Sequence, residues 1–223
     1  MLRLLAAVVV LLGVFTWAAA PAAASHVACG DTITEDTTLD ADLVDCPGRG
    51  LWIFGEGITL DLNGHTIDGS GIEVGIDAGG SGTIRDGVVR DFWVGLAVSG
   101  IDVAVRRMAI SANAVGIASS GTGVRVEHNT ISNNAERGVL LSDAAQNVIR
   151  KNVITGNAAG VGLVWSSGNR IEQNEVRANL GDGVHLVGEG GANGNVIEAN
   201  VASANGDDGI DFNDQVEYPR ATP

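Results

Sequence analysis

Three carboxylates lie within five residues in the stretch NGDDGID, which runs from Asn205 to Asp211. Asp207, Asp208 and Asp211 would repel one another unless a cation or protons lay between them. Calcium fits such a group because it is a hard ion that takes about six to eight oxygen ligands. The same residues could instead form a polar turn that leads into Gly209, with no ion bound. The backbone that carries the stretch decides between the two interpretations.

A repeat in the sequence indicates what that backbone is. Four seven-residue segments each carry an asparagine at the second position and another five residues later. They are HNTISNN from His128, KNVITGN from Lys151, QNEVRAN from Gln173 and ANVASAN from Ala199. Weaker matches extend the frame upstream, so that its second position recurs at residues 65, 87, 108, 129, 152, 174 and 200. Spacings of 21 to 26 residues, most of them close to 22, predict a solenoid of stacked coils.

Apolar residues mark three short strands in every coil. Branched aliphatic residues recur two positions after each of these anchors and three positions before it, and a third group alternates with polar residues about ten positions after it. This pattern predicts an all-β fold, a parallel β-helix of about seven to eight coils with about 22 residues per coil. Aliphatic side chains would fill its interior. The asparagines are predicted to be turn residues that tolerate a left-handed backbone and bond their amides from coil to coil.

The repeat also brings further polar side chains to the three carboxylates. Counted from the anchors, Asp182 occupies in one coil the place that Asp208 occupies in the next, and His185 corresponds to Asp211 in the same way. Alternation with inward aliphatic residues turns His185 and Asp211 outward on one face, about 5 Å apart. Asp182 is expected beside Asp207 and Asp208 on the preceding turn. The sequence thus predicts a metal site of four aspartates from two adjacent coils.

Two other side chains are candidates for binding a ligand on this face. Arg137 has the same place in its coil as Asp182 and is expected two coils, roughly 10 Å, further back. Trp93 is expected four coils from Asp182 on the same flank, where its ring could stack on a sugar or simply pack against the protein. Together with His185, these residues form the predicted substrate-binding set.

Composition limits the location and the partners of the chain. Residues 1–24 have one arginine, an apolar run and small residues at Ala22 to Ala24, and are predicted to be a secretory signal peptide whose apolar run is too short for a membrane span. A formal net charge of −14 makes nucleic acid and anionic membranes poor partners. Cys29 and Cys46 are the two cysteines, and in an exported chain they are predicted to form one disulfide.

The predicted organisation is a single domain. A cap region with the disulfide spans residues 25–56, the β-helix repeats span residues 57–213, and a short tail spans residues 214–223. The last coil of a solenoid exposes strand edges, and this tail is too short to form another coil or an apolar cap. End-to-end association at the C-terminal coil is one expected way of covering those edges.

The run from Cys29 to Gly71, which contains TLDLNGHTI, together with the coils that follow, resembles the secreted right-handed parallel β-helix proteins of the pectin-lyase-like superfamily. The resemblance covers essentially the whole predicted mature chain and implies a right-handed coil and secretion. Similar proteins include pectate lyases, polygalacturonases, alginate epimerases and surface proteins without an assigned activity. The fold alone therefore does not supply a function.

The stretch NGDDGID is similar to the calcium-binding stretch of the β-helical family-nine pectate lyases. This similarity implies that Asp182, Asp207, Asp208 and Asp211 hold a catalytic calcium. In those lyases a downstream lysine removes a proton from the uronate, whereas the lysine of this chain, Lys151, lies upstream. The Gly-His-Gly element of polygalacturonases and the Asp-Pro-His-Asp element of alginate epimerases are missing from the sequence. No catalytic residue is assigned.

The sequence therefore predicts a secreted, carbohydrate-associated protein that binds or processes acidic polysaccharide, such as a polyuronide, with calcium as cofactor. Enzyme activity stays open, because a polysaccharide lyase would need a base from elsewhere, and Arg220 in the tail is one candidate. The competing interpretation is a noncatalytic structural or adhesive surface solenoid. An exposed groove with Trp93, Arg137 and the aspartates in line would favour the first interpretation, and a featureless outer face would favour the second.

Overall fold

The computed structural model describes residues 26–188 and 193–212, so the predicted signal peptide and tail lie outside the described residues. Within the described ranges every regular element is a strand, and no helix is long and apolar enough to cross a membrane. The first eleven strands are β1 (Thr32–Ile33), β2 (Thr37–Thr38), β3 (Leu51–Ile53), β4 (Ile58–Asp61), β5 (Thr66–Asp68), β6 (Val74–Ala78), β7 (Gly82–Arg90), β8 (Val94–Val98), β9 (Val103–Ser111), β10 (Val115–Ser119) and β11 (Arg125–Glu127). The next eleven are β12 (Thr130–Ser132), β13 (Arg137–Ser142), β14 (Val148–Arg150), β15 (Val153–Thr155), β16 (Ala159–Val164), β17 (Arg170–Glu172), β18 (Glu175–Arg177), β19 (Val184–Val187), β20 (Val196–Glu198), β21 (Val201–Ser203) and β22 (Ile210–Phe212).

These strands form two parallel sheets that wind together as a solenoid. The first sheet has nine strands in the order β1-β3-β6-β8-β10-β13-β16-β19-β22, and the second sheet contains the other thirteen. Partners in neighbouring coils are one repeat apart, as in the succession Val94, Val115 and Arg137 along the first sheet. In two coils the two strands of the second sheet merge into the long strands β7 and β9. The predicted all-β parallel solenoid of about eight coils is confirmed.

The winding already begins within the predicted cap region. Thr32 in β1 pairs with Trp52 in β3, so residues 25–56 contribute strands to the first sheet ahead of the predicted repeat start at residue 57. The predicted disulfide between Cys29 and Cys46 is present. It links the two ends of the chain segment that forms this first coil. Strands β1 and β3 have only two and three residues, and each is held by hydrogen bonds to the next coil.

Aliphatic rows fill the interior, as the sequence predicts. Leu96, Ile117, Val139 and Val161 pair in register along the first sheet, and all four are completely buried. Each of these side chains packs on its equivalents in the coils on either side. Burial of one such side chain stabilises the fold by roughly 1.5 to 3 kcal/mol, and the repeat makes this contribution in coil after coil.

Asparagine amides run along the axis in three rows. Their members are Asn113, Asn134, Asn157, Asn179 and Asn205, then Asn129, Asn152, Asn174 and Asn200, and finally Asn147, Asn169 and Asn195. At each step the main-chain N–H of one asparagine donates to Oδ1 of the next; from Asn157 to Asn179 this distance is 3.0 Å. The side-chain amide of Asn157 also donates to the Ile131 carbonyl, at 3.2 Å. The predicted amide bonding from coil to coil is confirmed.

The left-handed residue of each turn stands one position before the asparagine. His128, Lys151 and Gln173 have φ of 58°, 54° and 55°, and each directly precedes an asparagine of one of the three rows, here called the asparagine ladders. The expectation that the asparagines themselves use this conformation is wrong at these turns. An asparagine of the ladder must keep its amide pointing inward between two coils, so the residue before it makes the change of direction.

At the carboxyl-terminal end of the described residues the coils expose apolar side chains. Ile210 and Phe212 are 39% and 70% exposed, whereas their partners in the preceding coil, Val184 and Leu186, are buried. The end-to-end association predicted for this end stays a prediction.

Paired charges cover the turns on the outer side of the second sheet. Asp86 and Arg107 occupy the same turn in adjacent coils, with φ of 62° and 53°. Arg107 donates to the Asp86 carboxylate through Nε and Nη2 at 2.6 and 2.7 Å. These bonds, with a further one from Arg85, hold the pKa of Asp86 below its ordinary value, although partial burial acts in the opposite direction.

We expect Asp86→Asn to lower the free energy of unfolding by up to about 1 kcal/mol at neutral pH, and by less in acid. A carboxyl whose pKa is lowered by folding contributes stability above its unfolded pKa of about 4, and this contribution is lost as pH falls through the lower folded value. Denaturant unfolding at about pH 7 and pH 3 measures the difference. Asp143→Asn is the control, since Asp143 has a similar φ of 52°. An equal loss at both pH values would contradict the prediction.

Candidate functional site

The first sheet turns rows of side chains outward, and one of them, the central row, runs the length of the described solenoid. In pairing order the central row consists of Thr32, Trp52, Asp77, Ala97, Ala118, Leu140, Gly162, His185 and Asp211. Side chains two positions away along each strand point to the same side of the sheet. The outer face is therefore not uniform: the row has Trp52 and Asp77 toward one end, His185 and Asp211 at the other, and uncharged residues between them.

At the carboxyl-terminal end, the central row finishes in a group of polar side chains. His185 pairs directly with Asp211, and its Nε2 lies 3.5 Å from Asp211 Oδ2. Its Nδ1 lies 3.8 Å from Asp182 Oδ2. Among the described residues Nε2 of His185 is buried and has no partner with hydrogen-bond geometry. The predicted register, with His185 and Asp211 outward and side by side, is confirmed.

Asp182 joins this group to the next turn. Its Oδ1 accepts the main-chain N–H of Asp208 at 3.0 Å, so Asp182 lies beside the turn that carries Asp207 and Asp208, as the repeat predicts. This contact is also what the turn interpretation requires, because it holds the two coils together without an ion. Only one oxygen of Asp182 makes this bond. The other remains directed toward His185.

The four predicted aspartates fall into two overlapping donor sets. Asp182, Asp207 and Asp208 can place one oxygen each within 4.8 Å of one another, and Asp182, His185 and Asp211 can do the same with an imidazole nitrogen included. The first set offers only oxygen and suits calcium. The second set has the mixed donors that zinc or manganese accept. The residues present fit a cation, and water could complete its shell because Asp207 and Asp208 are exposed.

Arg137 extends across the central row toward this group. A Cβ placed on Gly162 would lie 2.6 Å from Arg137 Nη1 and 3.3 Å from its Cδ, so the arginine occupies the space that a side chain at position 162 would fill. Gly162 pairs with His185 in the next strand. The guanidinium is thus about one strand spacing from the polar group, closer than the two coils that its own position in the sequence indicates.

The other predicted residues lie elsewhere. Trp93 is 55% exposed on the turn before β8, on the flank of Asp207 but several coils away, so it does not contact the polar group. Lys151 lies between β14 and β15 of the second sheet, away from this face. Arg220 is outside the described residues. The structure therefore brings together the aspartates, His185 and Arg137, and leaves the tryptophan apart.

An aromatic group at the amino-terminal end of the face is absent from the predicted set. The rings of Trp52 and Phe54 are 5.4 Å apart between centroids and tilted by 52°. Arg49 lies over the Trp52 ring at 5.6 Å, and its Nη2 is 3.4 Å from Asp77 Oδ2. The signal was present in LWIF, where buried Leu51 and Ile53 alternate with the two exposed aromatic residues.

Comparison with protein families assigns the fold. The family described as right-handed beta helix region matches residues 38–218. The chain belongs to this right-handed β-helix family. The fold implied by the sequence resemblance is therefore confirmed, including the right hand of the coil. Among curated proteins, none matches the chain by sequence.

Several solved structures share this right-handed β-helix. A variant of the periplasmic alginate epimerase AlgG has a TM-score of 0.57 at 18% identity, over 79% of this chain and 49% of that chain. Pectate lyase Pel9A has a TM-score of 0.56 at 15% identity, over 82% of this chain and 64% of that one. The enzymatically active domain of tailspike protein 2 from bacteriophage CBA120 has a TM-score of 0.57 at 9% identity, over 82% and 42%. The chain spans less than two thirds of each, and at these identities the likeness shows the fold alone.

Proposed function

We propose that this β-helix protein binds acidic polysaccharide on the outward face of its first sheet, through calcium held by aspartates of two adjacent coils. The observation that carries the proposal is the oxygen set of Asp182, Asp207 and Asp208, whose ligand atoms lie within 4.8 Å of one another. Calcium in this set would offset the repulsion between the carboxylates and accept a sugar carboxylate as a further ligand. Asp211 would contribute from the second donor set, beside His185.

Charge makes the cation necessary for such a ligand. The chain has a formal net charge of −14, so a polyuronide would be repelled from most of its surface. Arg137, lying across Gly162, provides a positive group about one strand spacing from His185, which adjoins the aspartates. The ion and the guanidinium would then bind carboxylates of neighbouring sugars. Two of the similar structures are named for alginate and pectate, which supports a carbohydrate ligand by analogy.

The proposal concerns binding, with catalysis as an additional outcome. A lyase would need a base beside the ion, and Lys151 lies on the other sheet. Export of the protein is part of the same proposal, because the predicted signal peptide and the disulfide between Cys29 and Cys46 fit an oxidising compartment where polysaccharides occur.

Titration calorimetry of the full chain with calcium chloride, and then with oligogalacturonate, tests the proposal. We expect calcium binding to weaken roughly tenfold or more in Asp208→Asn, because one ligand loses its charge. Oligogalacturonate is expected to bind the wild type with calcium and to be released by a chelator. Asp143→Asn, which removes an exposed aspartate outside the group, is expected to behave as the wild type.

Two further measurements complete this test. A zinc titration distinguishes the mixed donor set from the oxygen set, since His185→Ala would weaken zinc binding and leave calcium binding in place. Release of unsaturated uronate from pectate or alginate would add lyase activity to the proposal. A folded wild type that binds neither calcium nor polyuronide would contradict it and favour the noncatalytic structural solenoid.

A further inference from the structure

A cavity of about 700 Å³ lies at the opposite, amino-terminal end of the protein from the aspartates. Its lining includes Phe54, Glu56, Ser81, Ser99, Ile101 and Asp102. The volume is within the range of about 300 to 1,000 Å³ that is usual for pockets that bind small molecules. None of these residues belongs to the candidate calcium site.

Glycines of the middle coil create the cavity. Phe54 follows β3, Ile101 precedes β9 two coils later, and the coil between them contributes Gly79 and Gly80. A Cβ on Gly80 would lie 1.7 Å from the Gly55 carbonyl oxygen, so the backbones of these turns are in direct contact. At Gly79 and Gly80 the middle coil has no side chain, and at the next position it has only the small side chain of Ser81, so a gap of two strand spacings, or roughly 10 Å, stays open between the two flanking coils. A single sugar ring fits at this separation, with Phe54 on one side and Ser99 and Ile101 on the other.

The walls of the cavity are apolar and exposed. Phe54 and Ile101 are 59% and 63% exposed, so both apolar side chains are open to a ligand. Phe54 also contacts Trp52, with the two ring centroids 5.4 Å apart. An aromatic face of this kind stacks on the C–H groups of a sugar ring.

The charged groups of the cavity restrict its ligand. Glu56 and Asp102 are carboxylates, which accept hydrogen bonds when ionised, and no lysine or arginine is among the lining residues. A uronate would be repelled here, in contrast to the face proposed to carry calcium. The complementary ligand donates hydrogen bonds, carries positive charge and has one apolar face. Among sugars, a hexose with a free amino group has these properties.

We propose that this cavity binds an amino-hexose unit of a glycan, with its ring on Phe54 and its ammonium group toward Glu56. Asp102, whose carboxylate lies toward Gly123 of the next coil, adds negative charge at the far edge. A second cavity of about 200 Å³ shares Ser99 and continues along the first sheet past Ala97 and Ala118. It offers space for the adjoining units of an oligosaccharide. This assignment does not depend on calcium or on the aspartates near Asp208.

Titration calorimetry with glucosamine oligosaccharides, in the presence of a chelator and at moderate salt, tests the assignment on the full chain. We expect the wild type to bind them, Phe54→Ala to weaken binding at least tenfold, Glu56→Gln to weaken it severalfold, and Asp102→Asn to weaken it by less than Glu56→Gln. Glu35→Gln is the matched control, because Glu35 is an exposed carboxylate that does not line the cavity. Its binding is expected to equal that of the wild type, which separates the site from general attraction to an acidic protein.

Several results would overturn the assignment. They are absence of binding by the folded wild type, unchanged binding in Phe54→Ala, and an equal effect of Glu35→Gln and Glu56→Gln. Equally tight binding of uncharged cello-oligosaccharides would also overturn it. Melting temperatures establish that the variants are folded. Asp208→Asn is expected to keep glucosamine binding, and Phe54→Ala to keep calcium binding, so failure of one proposal is distinguishable from failure of the other.

Discussion

Replacement of Asn157 by leucine is expected to lower the free energy of unfolding by about 3 to 5 kcal/mol. The asparagine is completely buried, and its Oδ1 accepts two hydrogen bonds from Asn134, at 3.0 and 2.9 Å. Its amide donates to Asn179 Oδ1 and to the Ile131 carbonyl. Leucine has the same branched shape with somewhat larger end groups, and it removes all of these side-chain bonds. The partners stay buried, and each polar group left without a hydrogen bond costs roughly 1 to 3 kcal/mol.

Denaturant unfolding of the two proteins measures this effect, with Asn133→Ala as the matched control. Asn133 adjoins the same ladder in sequence but is exposed, so its replacement is expected to cost less than about 1 kcal/mol. A loss of similar size in both variants would show that the ladder contributes little beyond an ordinary turn. A larger loss for Asn157→Leu would support the coil-to-coil amides as a main source of stability.

Gly160→Ala is expected to destabilise the protein by about 3 kcal/mol or more, although it adds one methyl group. A Cβ at this position would lie 2.2 Å from the Gly183 carbonyl oxygen and 2.6 Å from Cγ1 of Val176. The carbonyl belongs to the next coil and accepts the main-chain N–H of Val161, so it cannot move without disturbing strand pairing. Overpacking of a well-packed interior typically costs about 1 to 3 kcal/mol. A clash with the backbone is expected to cost about 3 kcal/mol or more, because the backbone cannot move aside as a side chain can.

The matched substitution is Gly48→Ala, where a Cβ would meet nothing within 4 Å and the backbone has no positive φ. Its effect on the unfolding free energy is expected to lie within about 0.5 kcal/mol of zero. Thermal and denaturant unfolding compare the two variants. Equal stability of Gly160→Ala and the wild type would mean that the neighbouring coil can shift, against the close contact described.

The features that recur in every coil could be predicted from the sequence. Stacking places equivalent residues in contact, so the aliphatic rows and the bonding of Asn152 to Asn174 follow from their spacing alone. Gly138, Gly160 and Gly183 recur with the same period, and a Cβ at each of them would be too close to the next coil. In a sequence, however, glycine commonly indicates a turn, so this packing role is not evident from the residue type. The space at these glycines is filled by asparagine amides and carbonyl groups of the next coil, and only the tertiary packing places those groups there.

The candidate site also has features that the sequence predicts and features that it does not. Counting along the repeat places His185 against Asp211 and Asp182 against Asp208, because both pairs depend only on register. The separation into two donor sets depends on the directions of side chains within a turn, which a repeat does not encode. The cavity near Phe54 depends on side chains that the middle coil lacks, at Gly79 and Gly80. A pattern of residue types gives no direct sign of such an empty space.

The uniform contact between coils has a consequence for how the protein can change over evolutionary time. Each asparagine accepts from the coil before it and donates to the coil after it, as Asn134, Asn157 and Asn179 do in succession. A duplicated or deleted unit of one coil therefore meets the same partners at both joints, provided that it carries its own asparagines. Gain or loss of whole coils would alter the length of the outer face while the interior stayed compatible. Each coil gained or lost would change the distance between the aromatic and acidic ends of the outer face by one strand spacing, about 4.8 Å.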